Sequence, residues 1–342
     1  MNIQQDVSLK HLNTFGIDVH AKYFTVFDTA VDLPALFESD TMEILQARDK
    51  IIVLGGGSNM LFTKNVDGLV LKNEITGIEK IGEDAAHVYI KAGAGENWHL
   101  FVLYCLENNY AGVENLALIP GSIGASPMQN IGAYGVEIKD VFHSLEAFDL
   151  KEKCFVSFNK MDCAFGYRES IFKKRYKNVF IITSVTFKLN KTPVFNVSYG
   201  AVTQELTDMN VADLSIQAIA QAVMNIRSSK LPDPKLIGNA GSFFKNPEID
   251  LRSFEKLQVN FPGIAGYKLD DGKIKLAAGW LIEQCGWKGY RKGDAGCFAK
   301  QSLVLVNYGN ANGMEIYDLS SEIIQTVFDT FGVQLEREVN IL

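Results

Sequence analysis

Hydrophobic and polar positions change their period roughly halfway along this chain. Between residues 51 and 189, short apolar runs recur at 51–54, 68–71, 87–92, 145–149 and 179–189, alternating with glycine-containing turns. Runs of this length, rich in Val, Ile and Phe and bounded by turn formers, predict β-strands. One helical pattern interrupts them, at 96–108. Strands in irregular order with a single helix predict an α+β fold, unlike the regular strand and helix alternation of a doubly wound sheet.

After Lys191-Thr192-Pro193 the pattern becomes helical. Leu214 or Ser215 opens an amphipathic helix at 213–227, with Ile216, Ile219, Val223 and Ile226 on one stripe. A helix at 276–285 and a strand at 303–307 follow, then a long helix at 313–331. The long helix carries Ile316, Leu319, Ile323 and Val327 on one face, with Gly332 placed to cap it. The chain closes in a predicted strand at 333–341. Its alternation sets Val333, Leu335 and Val339 on one side against Gln334, Glu336, Glu338 and Asn340 on the other. The expected organisation is a first region at 1–190, in two parts of about 1–70 and 71–190. An inter-domain segment at 191–212, a second domain at 213–332 and a C-terminal strand at 333–342 complete it.

Composition narrows the function classes. With 47% apolar and 21% charged residues over 342 positions, the chain is a well-packed globular protein of more than one domain. A formal charge of -7 argues against nucleic acid as the main partner, because phosphate-backbone binding relies on clustered Lys and Arg. The basic run Lys173-Lys174-Arg175-Tyr176-Lys177 reads as a solvated face or loop. The apolar runs fall short of the roughly 18 residues of a membrane span, so the expectation is a cytoplasmic protein without one. Cys105, Cys154, Cys163, Cys285 and Cys297 show no C-x-x-C spacing, which predicts neither a zinc knuckle nor a redox dithiol, and no metal is expected.

Two glycine-rich segments suit a phosphate. Gly55-Gly56-Gly57-Ser58-Asn59 follows an apolar strand, so successive N–H groups could curl around an anion; a tight turn is the plainer alternative. It matches neither a Walker loop nor G-x-G-x-x-G before a helix. The second segment, Gly121 to Gly135, contains Gly121, Ser122, Gly124, Ala125, Ser126, Asn130, Gly132, Ala133 and Gly135, stiffened by prolines. Two glycine clamps without a P-loop lysine fit an extended dinucleotide such as FAD. Farther on, Gly238-Asn239-Ala240-Gly241-Ser242-Phe243-Phe244-Lys245-Asn246-Pro247 places one hydroxyl beside flexible glycines, either as a serine aimed at a ligand or as a glycine-rich hairpin. The five histidines, His11, His20, His87, His99 and His143, all lie in the first half, so a histidine-activated serine nucleophile has no local support.

Taken together, these segments resemble the UDP-N-acetylenolpyruvoylglucosamine reductase family, the UDP-N-acetylmuramate dehydrogenases. The likeness also runs through Leu12-Asn13-Thr14-Phe15-Gly16, Gly166-Tyr167-Arg168-Glu169-Ser170, Lys230-Leu231-Pro232-Asp233-Pro234-Lys235 and Leu335-Glu336-Arg337-Glu338-Val339, covering nearly the whole chain. It implies an FAD-binding domain of the vanillyl-alcohol-oxidase/PCMH type followed by a C-terminal α+β substrate-binding domain. The implied reaction reduces the enolpyruvyl ether of a UDP-sugar for peptidoglycan synthesis, with FAD as cofactor and NADPH as reductant. The resemblance gives Arg168 the developing negative charge, Ser242 the proton donated to the α-carbon, and Glu338 the activation of the enolpyruvyl carboxylate. Tyr199, Lys230, Asn246 and Gln301 match substrate contacts, Tyr199 within the tyrosine loop of the family's longer type. The glycine segments fall to FAD. Asn340 departs from the basic residue many relatives carry there. A monomer is expected, with a small-molecule UDP-sugar as its partner. The competing expectations are another oxidase of the same flavin fold and a non-catalytic FAD or UDP-sugar sensor.

Overall fold

The computed structural model describes residues 2–38 and 51–342, and its contacts group into two compact units. The first comprises Met1–Val7, His20–Gly57 and Val66–Ser229; the second comprises Ser8–Val19, Ser58–Asn65 and Lys230–Leu342. The expected organisation was continuous in sequence, whereas these units interleave near the N-terminus. Helix Ile216–Lys230, placed in the second domain by its position after Pro193, belongs up to Ser229 with the first unit. Its Ile219, Val223 and Ile226 stripe packs into that unit's core. An amphipathic period shows that a helix has a face to bury, without showing against what.

In the first unit, strands Gln4–Ser8, His20–Phe27, Val66–Asn73 and Ile51–Leu54 form one sheet in that order. Val66–Asn73 runs parallel to both His20–Phe27 and Ile51–Leu54. Parallel pairing buries both faces, which is why Leu69, Val70 and Leu71 are successively buried. A second, antiparallel sheet has the order Phe155–Asn159, Phe142–Asp149, Phe180–Asn190, His87–Gly93, Ile78–Glu83. Helix Trp98–Glu107 is capped by Asn97, whose side chain accepts from Leu100 N at 3.0 Å. Trp98 and Phe101 pack on Phe187 of the sheet, with centroids 5.8 and 4.7 Å away.

Beside the single helix expected among these strands, the structure contains helices Asp32–Glu38 and Ile138–Val141. At seven and four residues they are too short to display a 3.6-residue period. Helix Gly200–Asp208 lies in the expected inter-domain segment, and Tyr199 is its N-cap residue.

The second unit contains an antiparallel sheet ordered Gly238–Ser242, Val304–Asn307, Ala295–Cys297, Arg291–Lys292, and a smaller one of Glu248–Ile249, Ile274–Leu276 and Gly266–Lys268. Its long helix, Gly313–Phe331, has the predicted limits. Asn312 and Glu315 form a capping box, and Gly332 ends the helix at φ 66°. Helix Leu251–Asn260 was not anticipated.

The closing strand is shorter than expected. Only Asn340–Ile341 form a ladder, parallel to Met60–Leu61, with an isolated bridge between Arg337 and Phe244. The alternation is nevertheless real, because Val333, Leu335 and Val339 are buried while Gln334 and Glu336 are exposed. Alternating burial reports an extended backbone packed on one side, and ladder bonds are a separate requirement.

Candidate active site

In the first unit the two glycine clamps meet. A Cβ on Gly56 would sit 2.8 Å from Gly121 Cα, and one on Gly55 would sit 2.2 Å from Ser122 Oγ. Gly56 therefore needs glycine for backbone to approach backbone, while Gly55 faces the Ser122 side chain. Gly57 and Gly121 add left-handed or otherwise positive φ values of 61° and 120°. Lys72 reaches the start of the first clamp, donating from Nζ to Gly55 O at 3.0 Å, and burial lowers its pKa.

The second clamp is braced from within. Ile123 N donates to Glu96 O and Gly124 N to Ala94 O, each at 2.8 Å, while Ala125 N and Ser126 N close the 3-10 turn onto Ser122 O and Ile123 O. These four amides serve the fold. Ser126, 1% exposed, donates its hydroxyl to Ile123 O at 2.8 Å. Asn130, fully buried, donates to Gly166 O and Glu137 Oε2 and accepts from Lys139 N. Ser126 and Asn130 thus act as braces in this structure. The two clamps carry no acidic side chain between Gly55 and Asn59 or between Gly121 and Gly135, as a polyanionic pyrophosphate requires. The residues present fit FAD, with the backbone of the first clamp and the Ser122 hydroxyl as the groups that would hold it.

Arg168 belongs to the same loop system. Its Nη2 donates to Gly132 O at 2.6 Å, and its Nη1 lies 3.8 Å from Glu137 Oε1. A Cβ on Gly132 would fall 2.8 Å from Glu137 Cγ, 2.9 Å from Val136 O and 3.0 Å from Arg168 Nη1, so the glycine leaves space for the paired strand and the guanidinium together. Arg168 takes φ 56°, a left-handed conformation unusual for arginine. Three bonds tie its motif to the second clamp: Asn130 to Gly166 O, Arg168 to Gly132 O, and Ser170 Oγ to Met128 O at 2.6 Å. Glu169, the neighbouring acid, is bridged by Lys174. Close to Gly135, Asn196 Nδ2 donates to its carbonyl at 2.9 Å, and Tyr199 sets its ring edge-on to Tyr134 at 5.3 Å.

The second unit assembles the remaining motifs. Ser242 ends strand Gly238–Ser242 opposite Val304, after an irregularity that begins at Asn239. Ser242 is exposed, and Gly241 before it has φ 69°. The segment is a bulged strand, so the hairpin alternative does not hold. Asn239, 4% exposed, accepts from Gly241 N at 3.0 Å and donates to Pro232 O at 3.1 Å, joining the Leu-Pro-Asp-Pro segment to the bulge. Leu12 to Gly16 lies along the same strand: Asn239 N donates to Thr14 O, and a Cβ on Gly238 would fall 2.2 Å from Phe15 O.

Glu338 is brought beside this segment. Its N–H donates to Phe243 O at 2.8 Å, and Lys245 N donates to Glu336 O at 2.9 Å. Asn59 contacts the same stretch, with Nδ2 3.5 Å from Glu338 O and its own carbonyl accepting from Asn340 Nδ2 at 2.9 Å. Asn246 Oδ1 accepts from Ala278 N at 3.0 Å, at the start of helix Ala278–Gln284. Gln301 Oε1 faces Gly279, where a Cβ would come within 3.1 Å. Asn246 and Gln301 therefore converge on one helix start. Lys230 is exposed at the end of helix Ile216–Lys230.

Sequence reasoning passed over Lys72, Glu137, Lys245 and Arg337. Lys245 lies inside a quoted motif, but no local pattern marks a lysine as buried. Burial pushes the thiols of Cys163 and Cys297 up to about 12, keeping them protonated. Among the described residues no cluster of His, Cys, Asp and Glu could hold a metal ion, and no helix is long and apolar enough to cross a membrane.

Comparison with known proteins agrees with this division. Residues 39–155 match an FAD binding domain family, and residues 233–342 match the C-terminal domain of UDP-N-acetylenolpyruvoylglucosamine reductase. The reductase of that name from Amoebophilus asiaticus is 49% identical over the whole of both chains. Those from Flavobacterium johnsoniae and Pseudomonas putida are each 48% identical, the latter over 99% of this chain and 98% of its own. The crystal structure of the enzyme from Thermus caldophilus superposes with a TM-score of 0.69 over the full chain at 24% identity, which supports the fold. The fold class is thus α+β, a flavin-binding domain followed by a C-terminal α+β domain. With nearly half its residues shared end to end, the chain belongs to the UDP-N-acetylenolpyruvoylglucosamine reductase family.

Proposed function

We propose that this protein reduces the enolpyruvyl ether of UDP-N-acetylglucosamine to UDP-N-acetylmuramate for peptidoglycan synthesis, with FAD as cofactor and NADPH as reductant. The carrying observation is the full-length kinship, with an FAD-binding domain and the reductase C-terminal domain in that order. Bound FAD supplies the hydride relay from NADPH to the enolpyruvyl double bond. The protein's own groups then manage charge and the proton.

Adding hydride to the β-carbon leaves negative charge on the α-carbon and its carboxylate. Arg168 offers an always-protonated guanidinium for that charge, already oriented by Gly132 O and Glu137. Ser242 donates the proton to the α-carbon. Because the acceptor is strongly basic, a hydroxyl without a histidine suffices, and exposure at the end of a bulged strand leaves that hydroxyl accessible. Glu338 acts on the enolpyruvyl carboxylate from the extended segment whose backbone bonds to Phe243, next to Ser242. Two carboxylates in contact repel, so in that complex one of the two acids holds a proton or a cation intervenes.

Tyr199, Lys230, Asn246 and Gln301 are assigned to the UDP-sugar, and the glycine clamps to FAD. The reductant and the UDP-sugar react in turn, a ping-pong cycle in the cytoplasm, where nucleotide sugars and NADPH are made. The acting species is a monomer, which size-exclusion chromatography checks. The deciding experiment uses the purified protein. Its yellow flavin spectrum should bleach anaerobically with NADPH and recover on adding the enolpyruvyl UDP-sugar. A colourless protein that FAD cannot reconstitute would overturn the reading.

A further inference from the structure

The segment carrying Glu338 lies antiparallel to the segment that follows Ser242. Across 336–338 the backbone is held by Lys245 N donating to Glu336 O, Glu338 N donating to Phe243 O and the bridge between Arg337 and Phe244. The next ladder residues are Asn340 and Ile341. Side chains of an extended segment alternate in direction, so a one-residue slip would turn Glu338 onto the face now held by Arg337.

Side-chain locks occupy both faces. Arg337 donates from Nε to Ser320 Oγ at 2.8 Å and from Nη2 to Ser321 Oγ at 2.7 Å, with its Cζ 4.4 Å above the Tyr317 ring. On the other face, Lys245 sets Nζ 2.5 Å from Glu336 Oε1. Lys245 is 7% exposed, while the Glu336 side chain is 69% exposed. A buried ammonium is costly, and an apolar side chain of similar length would pack at least as well. An ion pair adds a directional demand that is met in one register alone.

We propose that Lys245 is a positioning residue for proton delivery, fixing through Glu336 the register of the Glu338-bearing segment against the segment that carries Ser242. The inference rests on the roles assigned to Ser242 and Glu338 above. Register errors of an ångström or more at reacting groups change rates steeply.

The test compares Lys245→Met, Lys245→Arg, Glu336→Gln and Glu338→Gln as FAD-loaded full-length proteins. Flavin reduction by NADPH, reoxidation by the enolpyruvyl UDP-sugar, and hydrogen exchange at the Lys245 and Glu338 amides are measured for each. Lys245→Met and Glu336→Gln should slow reoxidation about 10- to 100-fold more than they slow reduction, with faster exchange at both amides. Lys245→Arg should recover most of the loss. Equal loss in both half-reactions, or wild-type reoxidation while Glu338→Gln is slow, overturns the role of Lys245 and leaves Glu338 standing. Wild-type reoxidation in Glu338→Gln would instead remove the assignment beneath it. Should Lys245→Met fail to fold, Glu336→Gln decides, because its side chain is mostly in solvent.

Discussion

The two units gather their recognised motifs with different emphasis. In the first, the clamps at 55–57 and 121–135 meet because side chains are missing: Gly56 lies against Gly121 with no space for a methyl group. In the second, the motifs at 12–16, 230–235, 238–247 and 335–339 meet through side-chain and backbone hydrogen bonds that fix direction, centred on Asn239, Asn59 and the Phe243 carbonyl. One region is shaped by volume and the other by register. Substitutions should therefore fail for different reasons in each.

The largest expected effect lies in the second unit. Ser242→Ala should keep NADPH-driven flavin bleaching and slow reoxidation by the enolpyruvyl substrate on the order of 10²–10⁴-fold, measured by anaerobic stopped-flow absorbance. Equal slowing of both half-reactions would remove the proton-donor role. Next comes volume in the first unit. Gly56→Ala forces backbone apart, an overpacking cost of about 1–3 kcal/mol, and should weaken FAD retention roughly 10- to 100-fold in a fluorescence titration. Gly55→Ala should do less, because the nearest atom is the Ser122 hydroxyl, which can rotate away. If Gly56→Ala binds FAD as tightly as the parent, the meeting of the clamps is unrelated to the cofactor.

A conformational substitution in the second unit sharpens the contrast. Gly241→Ala meets no atom within 4 Å but sits at φ 69°. It should cost about 1–2 kcal/mol in urea unfolding while FAD content stays intact. Loss of FAD there would blur the distinction between volume and direction.

The smallest effect concerns pH. His99 Nδ1 accepts from Leu118 N at 3.1 Å, and Leu118 holds φ 59° just before the second clamp, with its carbonyl accepting from Arg227 Nε at 3.2 Å. Burial, then the Arg227 charge, lowers the His99 pKa, so the folded protein prefers the neutral ring. The unfolded chain takes up this proton first, near pH 6.5. The contribution is therefore present above that pH and lost as pH falls through the lower folded value. Melting temperature should drop between pH 7 and pH 5, and drop less in His99→Gln. An equal drop in both would place the acid sensitivity elsewhere.

Legibility in the sequence followed the same divide. The strands at 51–54 and 303–307 and the long helix at 313–331 announced themselves through period and caps, because each buries one regular face. Glycine clamps were visible because an absent side chain is itself a sequence feature. Helices Gly200–Asp208 and Leu251–Asn260 were missed, and the stretch at 333–341 was read as a full strand, because alternation shows which side is packed and not which partner supplies ladder bonds. Nothing local to Arg168 shows what its guanidinium bonds; the contact with Gly132 O arises from a loop 36 residues away.

By itself the sequence determined the α+β class, the glycine segments, and the residues whose likeness to the reductase family named a chemistry. These are local properties, written in residue type and spacing. Tertiary structure alone decided that Gly56 abuts Gly121, that Glu338 bonds beside Ser242, and that Lys245 is buried against Glu336. Each of those contacts joins segments separated by tens of residues, and its geometry depends on how whole strands pack, which no local period encodes.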